Sequence, residues 1–453
     1  MSNILISAAH KSSGKTTITI GLCAALTARK FIIQAFKKGP DYIDPLWLSQ
    51  ATKRPCHNLD FYTMTSEEIQ HCVSRYSQTA NLSIIEGNKG LYDGMDLDGS
   101  NSNAALAHLI NAPVILVIDT QGITRGVAPL ILGYKMFDQD ISIAGVILNQ
   151  VGGERHENKL RAAVEYYTDV PVIGAVRRNK NLQIKERHLG LMPSNEDQKA
   201  QLKIQTIAQA IEEQVDLDKL LELVPTVEAK KTISTTIITT DIKIGIIRDA
   251  AFGFYYQGDL EALEAAGAEL VFIDALQDSH LPAIDGLFIG GGFPEEQMQM
   301  LANNRSLKQD IYEVIEKEMP VYAECGGLMY LARRLTWRDK TCEMVGALAF
   351  DIIMQERPVG RGYVHLRETE HGLWQGEQAE FYAHEFHYSK AVNVPKNLKY
   401  AYEVIRGHGL DGCNDGIVYK NTVASYVHLR DVKNNRWARR FVEFVRTCKF
   451  NLI

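Results

Sequence analysis

The sequence has no long apolar run, no paired cysteine motif and no strong excess of either charge, and each absence removes a class of protein. No stretch approaches the roughly 18 apolar residues that a membrane-crossing helix needs, so no membrane partner is expected. The opening Met1 to Ser7 lacks a basic region followed by a long apolar run, so no secretory leader is expected either. The seven cysteines are scattered and none has CxxC spacing, which argues against zinc sites and disulfide frameworks. A reducing, cytoplasmic setting follows as the expectation. The formal net charge of −6 gives no electrostatic reason for a nucleic-acid partner. Internal repeats and low-complexity segments are missing too.

What is present is a soluble globular balance, 45% hydrophobic and 23% charged over 453 residues, enough for two domains with separate cores. Short β-branched runs at Ile4–Ile6, Phe31–Phe36, Leu82–Ile85, Val114–Ile118, Ala144–Leu148 and Val170–Val176 alternate with helical patterns. Strands separated by helix-length segments predict βαβ crossovers and a mostly parallel sheet. The pattern breaks over 195–241, an amphipathic helix followed by the Thr- and Ser-rich run Lys230 to Thr236, read as a linker. A second α/β series starts at Ile242 and passes through strands at Ile244–Ile247, Leu270–Ile273, Gly286–Ile289 and Val321–Ala323. The expected organisation is a first domain over 1–194, the helix and linker, and a second domain over 242–453.

The first strand runs into Ala9-His10-Lys11-Ser12-Ser13-Gly14-Lys15-Thr16-Thr17, which matches GxxxxGK(S/T) apart from Ala9 at the first glycine. Gly14 lets the backbone approach phosphates, and the helix N-terminus behind it offers free N–H groups. Lys15 supplies charge to the β/γ-phosphates, and the Thr16 hydroxyl can ligand Mg²⁺. A bound nucleotide is therefore expected here, held by Ser12, Ser13, Gly14, Lys15, Thr16 and Thr17. Two loops that follow strands, Lys38 to Pro45 and Glu86 to Gly94, carry Asp41, Asp44, Glu86 and Asp93. Ligands of open α/β sheets bind beyond the strands' carboxyl ends, where these acids should lie.

In the second half, Val321-Tyr322-Ala323-Glu324-Cys325-Gly326-Gly327 puts a cysteine on a strand-to-helix turn. Such an elbow exposes a nucleophile, and the helix behind it favours the thiolate. The N–H of Gly326 and the loop Gly290-Gly291-Gly292 can supply an oxyanion hole. His428, ending a strand-like run, is the expected base and acid, with His384 and His387 as rivals.

Taken together these motifs resemble the cobyrinic acid a,c-diamide synthase family over nearly the whole chain. The resemblance rests on Gly14 to Thr17, Lys38 to Pro45, Asn58 to Asp60, Gly90 to Gly94, Gly145 to Asn149 and Glu186 to Leu191. In the second half it rests on Arg248 to Phe252, Gly290 to Glu295, Ala323 to Gly327 and His384 to Tyr388. It implies an α/β architecture, a P-loop dethiobiotin-synthetase-like ATP domain joined to a class I glutamine amidotransferase domain. It further implies that Cys325 and His428 release ammonia from glutamine, while the ATP domain phosphorylates two acetate carboxylates, a and c, of a tetrapyrrole. Ammonia then displaces phosphate from each acyl phosphate. Asn149 joins the ATP site, and Asp41, Tyr42, Asp44, Tyr92, Asp93 and His188 form the substrate or phosphoryl-transfer loops. Thr16, Asp41 and Glu86 are the expected Mg²⁺ ligands, and the family leaves a homodimer open.

The chain also departs from that family's pattern. Class I glutaminases often carry Glu two residues after the catalytic His, where this chain has Arg430. Asn88-Lys89 stands where the family usually has two apolar residues, and Arg357 to Tyr363 is unusually basic. Relatives that amidate sirohydrochlorin or sirohaem share the architecture, so the macrocycle stays open between these and cobyrinate. A reading from another class, a P-loop ATPase with a non-catalytic C-terminal binding module, requires Cys325 to be inert.

Overall fold

The computed structural model describes residues 2–187, 190–197, 199–224, 240–374 and 380–451. It divides into two compact units, Met1–Thr235 and Thr236–Ile453. The Thr- and Ser-rich run read as a linker, and His188, lie outside the described residues.

In the first unit, strands β1 (Asn3–Ala8), β2 (Ile33–Lys38), β3 (His57–Leu59), β4 (Leu82–Glu86), β5 (Val114–Asp119), β6 (Ile143–Val151) and β7 (Val172–Arg177) form one sheet. Helices α1 (Lys15–Ala28), α2 (Ile43–Thr52), α3 (Ser66–Ser77), α4 (Asn103–Leu109), α5 (Val127–Phe137) and α6 (Glu154–Tyr167) connect them. The short pair β8 (Glu186–Arg187) and β9 (Gly190–Leu191) follows, then α7 (Ala200–Gln214) and α8 (Leu217–Leu223). The sheet order is β3-β2-β4-β1-β5-β6-β7, parallel throughout.

Helices cover both faces, which is why β1, β2 and β4 are buried along their whole length and read as continuous rather than alternating runs. Helix α7 packs on α1, with Ile207 and Ile211 against Gly21. A capping box starts α3: Thr65 Oγ1 accepts from Glu68 N at 3.3 Å and Glu68 Oε2 from Thr65 N at 3.0 Å. Three-residue β3 is a strand the sequence pattern did not announce, because His57-Asn58-Leu59 is too short to show a period.

The second unit opens with β10 (Ile242–Ile247), β11 (Phe252–Phe254), α9 (Gln257–Ala265), β12 (Ala268–Ile273), β13 (Gly286–Ile289) and β14 (Gly291–Gly292). It continues through α10 (Met298–Asn303), α11 (Arg305–Glu316), β15 (Val321–Glu324), α12 (Gly326–Leu331), β16 (Ala332–Trp337), β17 (Lys340–Glu343) and β18 (Leu348–Met354). Strands β19 (Gly360–Glu368), β20 (Glu380–His387), β21 (Ser389–Val392), β22 (Lys399–Arg406), β23 (Asn414–Tyr419) and β24 (Thr422–Ser425) lead to α13 (Trp437–Asn451). Nine strands order as β12-β10-β13-β15-β24-β23-β22-β19-β20. The half from β12 to β24 is parallel and the rest antiparallel. A second sheet, β17-β16-β18-β21, adds to the core beneath β15 and α12.

Candidate functional site

Both halves of the chemistry form where strands end. In the first unit, Gly14 sits at φ 88°, a left-handed conformation that a side chain would strain. A Cβ there would also lie 2.2 Å from Asn149 Nδ2. That amide donates to the Ser13 carbonyl at 2.9 Å, so Asn149 holds the phosphate loop from below. Ser13 Oγ donates to the His10 carbonyl at 2.8 Å, closing the loop on itself.

Lys15 reaches across to the 86–94 loop and donates to the Lys89 carbonyl at 2.5 Å. Burial lowers Lys15 to about 8, against the pull of Glu86. Thr16 Oγ1 contacts Glu86 Oε1 at 2.6 Å and Asp44 Oδ2 at 3.2 Å. Between these acids lies Lys37, its Nζ 2.5 Å from Asp44, 2.8 Å from Glu86 and 3.9 Å from Asp41. Burial opposes the charge on Lys37, but the carboxylates outweigh it and hold the group protonated. Burial pushes Glu86 up to about 7 and Asp41 up to about 6.

This arrangement differs from expectation at Asp41 and at Lys37. The acid that shares the Thr16 hydroxyl with Glu86 is Asp44. Asp41 instead turns one oxygen to the N–H groups of Ile43 (2.9 Å) and Asp44 (3.0 Å), at the start of α2. Lys37 was not foreseen at all. It follows a buried apolar run, where a lysine reads as a strand end meeting solvent.

Tyr92, expected in a substrate loop, donates its hydroxyl to the Tyr134 carbonyl at 2.6 Å and so faces α5. Asp93 accepts from Gly90 N at 2.9 Å and shapes the loop turn. Tyr42 lies at the start of α2 beside Asp41.

Among the described residues, no group of three His, Cys, Asp or Glu side chains is arranged to hold a metal ion. The donors beside the phosphate loop are two carboxylates and a hydroxyl, and Glu86 Oε2 is buried with no hydrogen-bond partner. Hard oxygen donors with an orphaned lone pair are the chemistry Mg²⁺ takes when it is shared with phosphate oxygens.

In the second unit Cys325 stands at φ 47°, ψ −98°, between β15 and α12. A non-glycine residue held there costs of order 1–3 kcal/mol, strain of the kind nucleophile elbows retain. Its N–H donates to the Ser425 carbonyl at 2.7 Å, which ties the elbow to the end of β24. Three residues on, His428 hydrogen-bonds the Cys325 sulfur. Its backbone pairs with that of His384, the rival base, which burial lowers to about 3. The other rival, His387, donates through Nδ1 to the Ser389 carbonyl (2.9 Å) and stacks on Tyr426 at 3.9 Å.

The glycine positions converge on this pair. A Cβ on Gly291 would lie 2.5 Å from His428 Cε1, and one on Gly326 3.1 Å from Gly292 N. Gly290 is placed differently: its N–H is already taken by the Tyr255 hydroxyl at 2.8 Å. The backbone at Gly291 and Gly292, strand β14 paired with β11, thus lies beside His428 and Gly326.

The group facing the far side of His428 is Glu324, the residue before Cys325. His428 Nδ1 donates to Glu324 Oε2 at 3.3 Å, and both side chains are buried. Glu324 Oε1 is fixed by the Tyr322 hydroxyl at 2.6 Å and Leu429 N at 2.8 Å. Burial alone would lower His428, yet its hydrogen bonds to Cys325 and Glu324 raise it to about 10. The ring is thus held as an imidazolium that can protonate a leaving amine. Position 430 has a different use, its guanidinium lying 5.0 Å over the Tyr256 ring. The turn between β24 and His428 is set by buried Asp415, which accepts from Ser425 Oγ (2.8 Å), Tyr426 N (3.1 Å) and Val427 N (2.9 Å).

With this geometry in view, residues 4–191 match the CobQ/CobB/MinD/ParA nucleotide binding domain family. Residues 243–435 match the CobB/CobQ-like glutamine amidotransferase domain family. The cobyrinate a,c-diamide synthase of Magnetococcus marinus is 44% identical, over 98% of this chain and 97% of its own. That of Methanosarcina barkeri is 40% identical over 98% of this chain and 96% of its own. The Archaeoglobus fulgidus enzyme of the same name is 40% identical over 97% and 96%.

Proposed function

We propose, from the premise that this chain belongs to the cobyrinate a,c-diamide synthase family, that it amidates the a and c acetate carboxylates of cobyrinate with ammonia drawn from glutamine, at the expense of ATP. The observation that carries the reading is the pairing of two half-sites in one chain: a phosphate loop backed by Lys37, Asp44 and Glu86, and a Cys325–His428–Glu324 array beside the Gly291–Gly292 backbone.

In the second unit the Cys325 sulfur attacks the glutamine carboxamide, and the oxyanion forms against the Gly291, Gly292 and Gly326 backbone. His428 gives its proton to the departing nitrogen, ammonia leaves, and water then releases glutamate from the thioester. Glu324 keeps the imidazolium oriented throughout. In the first unit the acetate oxygen takes the γ-phosphoryl group of ATP, and ammonia displaces phosphate from the acyl phosphate. Lys15 and Lys37 place positive charge beside the phosphoryl oxygens, and Asn149 keeps the loop that cradles them in shape. Thr16, Asp44 and Glu86 would hold the Mg²⁺ that accompanies ATP, and that ion supplies charge neutralisation to the phosphate oxygens. The setting is the cytoplasm, where the seven free cysteines stay reduced.

The test offers cobyrinate, sirohydrochlorin and sirohaem in parallel with ATP and glutamine, and scores amide formation by mass. Two amidations of cobyrinate are expected, and amidation of only a sirohydrochlorin-type ring would replace the substrate while keeping the reaction. Cys325→Ser should abolish glutamine-supported turnover and leave ammonia-supported amidation intact. The opposing reading, a non-catalytic C-terminal module, would be upheld if a glutamine-analogue electrophile failed to label Cys325.

A further inference from the structure

A pair of lysines at the sheet edge is not accounted for by the phosphoryl-transfer cluster. Successive side chains of a strand point to opposite faces, so Lys37 and Lys38 at the end of β2 part company. Lys37 meets Asp44 and Glu86, whereas Lys38 goes to the face of Phe36, towards the segment before α4. There it is 6% exposed. Its Nζ donates to the Asn101 carbonyl at 2.7 Å and to Asn88 Oδ1 at 3.3 Å, and lies 5.9 Å from the Phe61 ring centre.

Among the described residues no carboxylate comes within ion-pair distance of Lys38. Asp60 attracts it from further away, with its own oxygens accepting from Tyr62 N (3.1 Å) and Thr63 Oγ1 (3.3 Å). A second cation, Lys89, repels it. The Lys89 side chain is exposed and its backbone is held at φ 38°, while its carbonyl receives Lys15. Burial lowers Lys38 to about 8, with Lys89 and Lys37 adding to the effect against the pull of Asp60. A buried ammonium without a counter-ion, next to a like charge, is unfavourable in the empty protein. An anion placed between the two would relieve both costs.

We propose that Lys38 and Lys89, with Asn88 setting the Lys38 ammonium, form a carboxylate subsite that holds an acidic side chain of the substrate other than the acetate being phosphorylated. The inference rests on the proposed function, since a polycarboxylate macrocycle presents several carboxylates to one edge. It assigns Asn88-Lys89, polar where the family is usually apolar, a role in choosing the substrate. The subsite is distinct from the nucleotide's, because Lys38 faces away from Thr16 and Glu86.

The experiment uses the full-length enzyme with Lys38→Met, Lys89→Met and the double variant, and cobyrinate as the varied substrate. KM for cobyrinate should rise about tenfold or more per lysine, the usual worth of a charge-assisted hydrogen bond. KM for ATP and glutaminase activity should stay within about twofold, and added salt should weaken cobyrinate binding less in the variants than in the parent. Lys89 is exposed, so its variant will fold even if the Lys38 variant does not. An unchanged cobyrinate KM in Lys89→Met overturns the inference. So does an ATP KM that rises as far as the cobyrinate KM, which would give the pair to the nucleotide. A parent enzyme that amidates no tetrapyrrole refutes the proposed function itself, an outcome readable before any variant is made.

Discussion

Replacing Glu324 by Gln isolates the charge that faces His428. The amide oxygen can still accept from Tyr322 and Leu429 N, as Oε1 does now, so the turn keeps its shape. What remains towards Nδ1 is an NH₂ group, which cannot accept from the imidazolium. A hydrogen bond between charged partners contributes about 1.5–3 kcal/mol, so the glutaminase kcat should fall about 10- to 100-fold. The same loss lowers His428, now raised to about 10, by roughly one to two pH units. Because the protonated ring is the active form, the basic limb of the glutaminase pH profile must move to lower pH. Glutamate release measured from pH 6 to 10, the range about these values, reports both effects. Ammonia-supported amidation serves as the internal control and should not change. A folded variant with kcat within twofold and an unmoved basic limb would refute the orienting role of Glu324.

Three further outcomes are expected. Gly291→Ala sets a methyl 2.5 Å from His428 Cε1, so it should displace the ring and cut glutaminase activity at least tenfold, with ATP-dependent use of ammonia retained. Asp415→Ala strips the acceptor from three buried donors; at about 1 kcal/mol or more each it should lower the melting temperature of its unit by several degrees, read by calorimetry. Lys15 is held at about 8, and phosphates will raise it, so ATP binding near pH 8 to 9 should take up a proton. Titration calorimetry in buffers of different ionisation enthalpy checks the sign, and proton release would contradict it.

The parts of the molecule legible in the sequence are those whose physics is local. Continuous apolar runs such as Val114–Ile118 announced buried parallel strands, and a glycine pattern around Cys325 announced a tight elbow. Contacts that depend on distant pairing were not legible. Glu324 lies 104 residues from His428, and only the parallel pairing of β15 with β24 brings them together. One signal was available: an acid closing the buried run Val321-Tyr322-Ala323 has to find a partner inside. Asp41 and Asp44 shared one loop and could not be ranked until the turn of α2 gave Asp41 to backbone N–H groups. Lys37 was hidden because a strand-end lysine usually reaches water.

The adjacency of Glu324 and Cys325 also bears on how this enzyme can change over generations. Where the acid sits two residues beyond the histidine, three catalytic functions occupy two distant stretches of the gene, and the codon after next from the histidine is locked. Here the two residues that the proposed function makes acid and nucleophile, Glu324 and Cys325, are neighbouring codons that are inherited, duplicated or lost together. Codon 430 carries instead an arginine that packs on Tyr256, a use separate from the contact between Glu324 and His428.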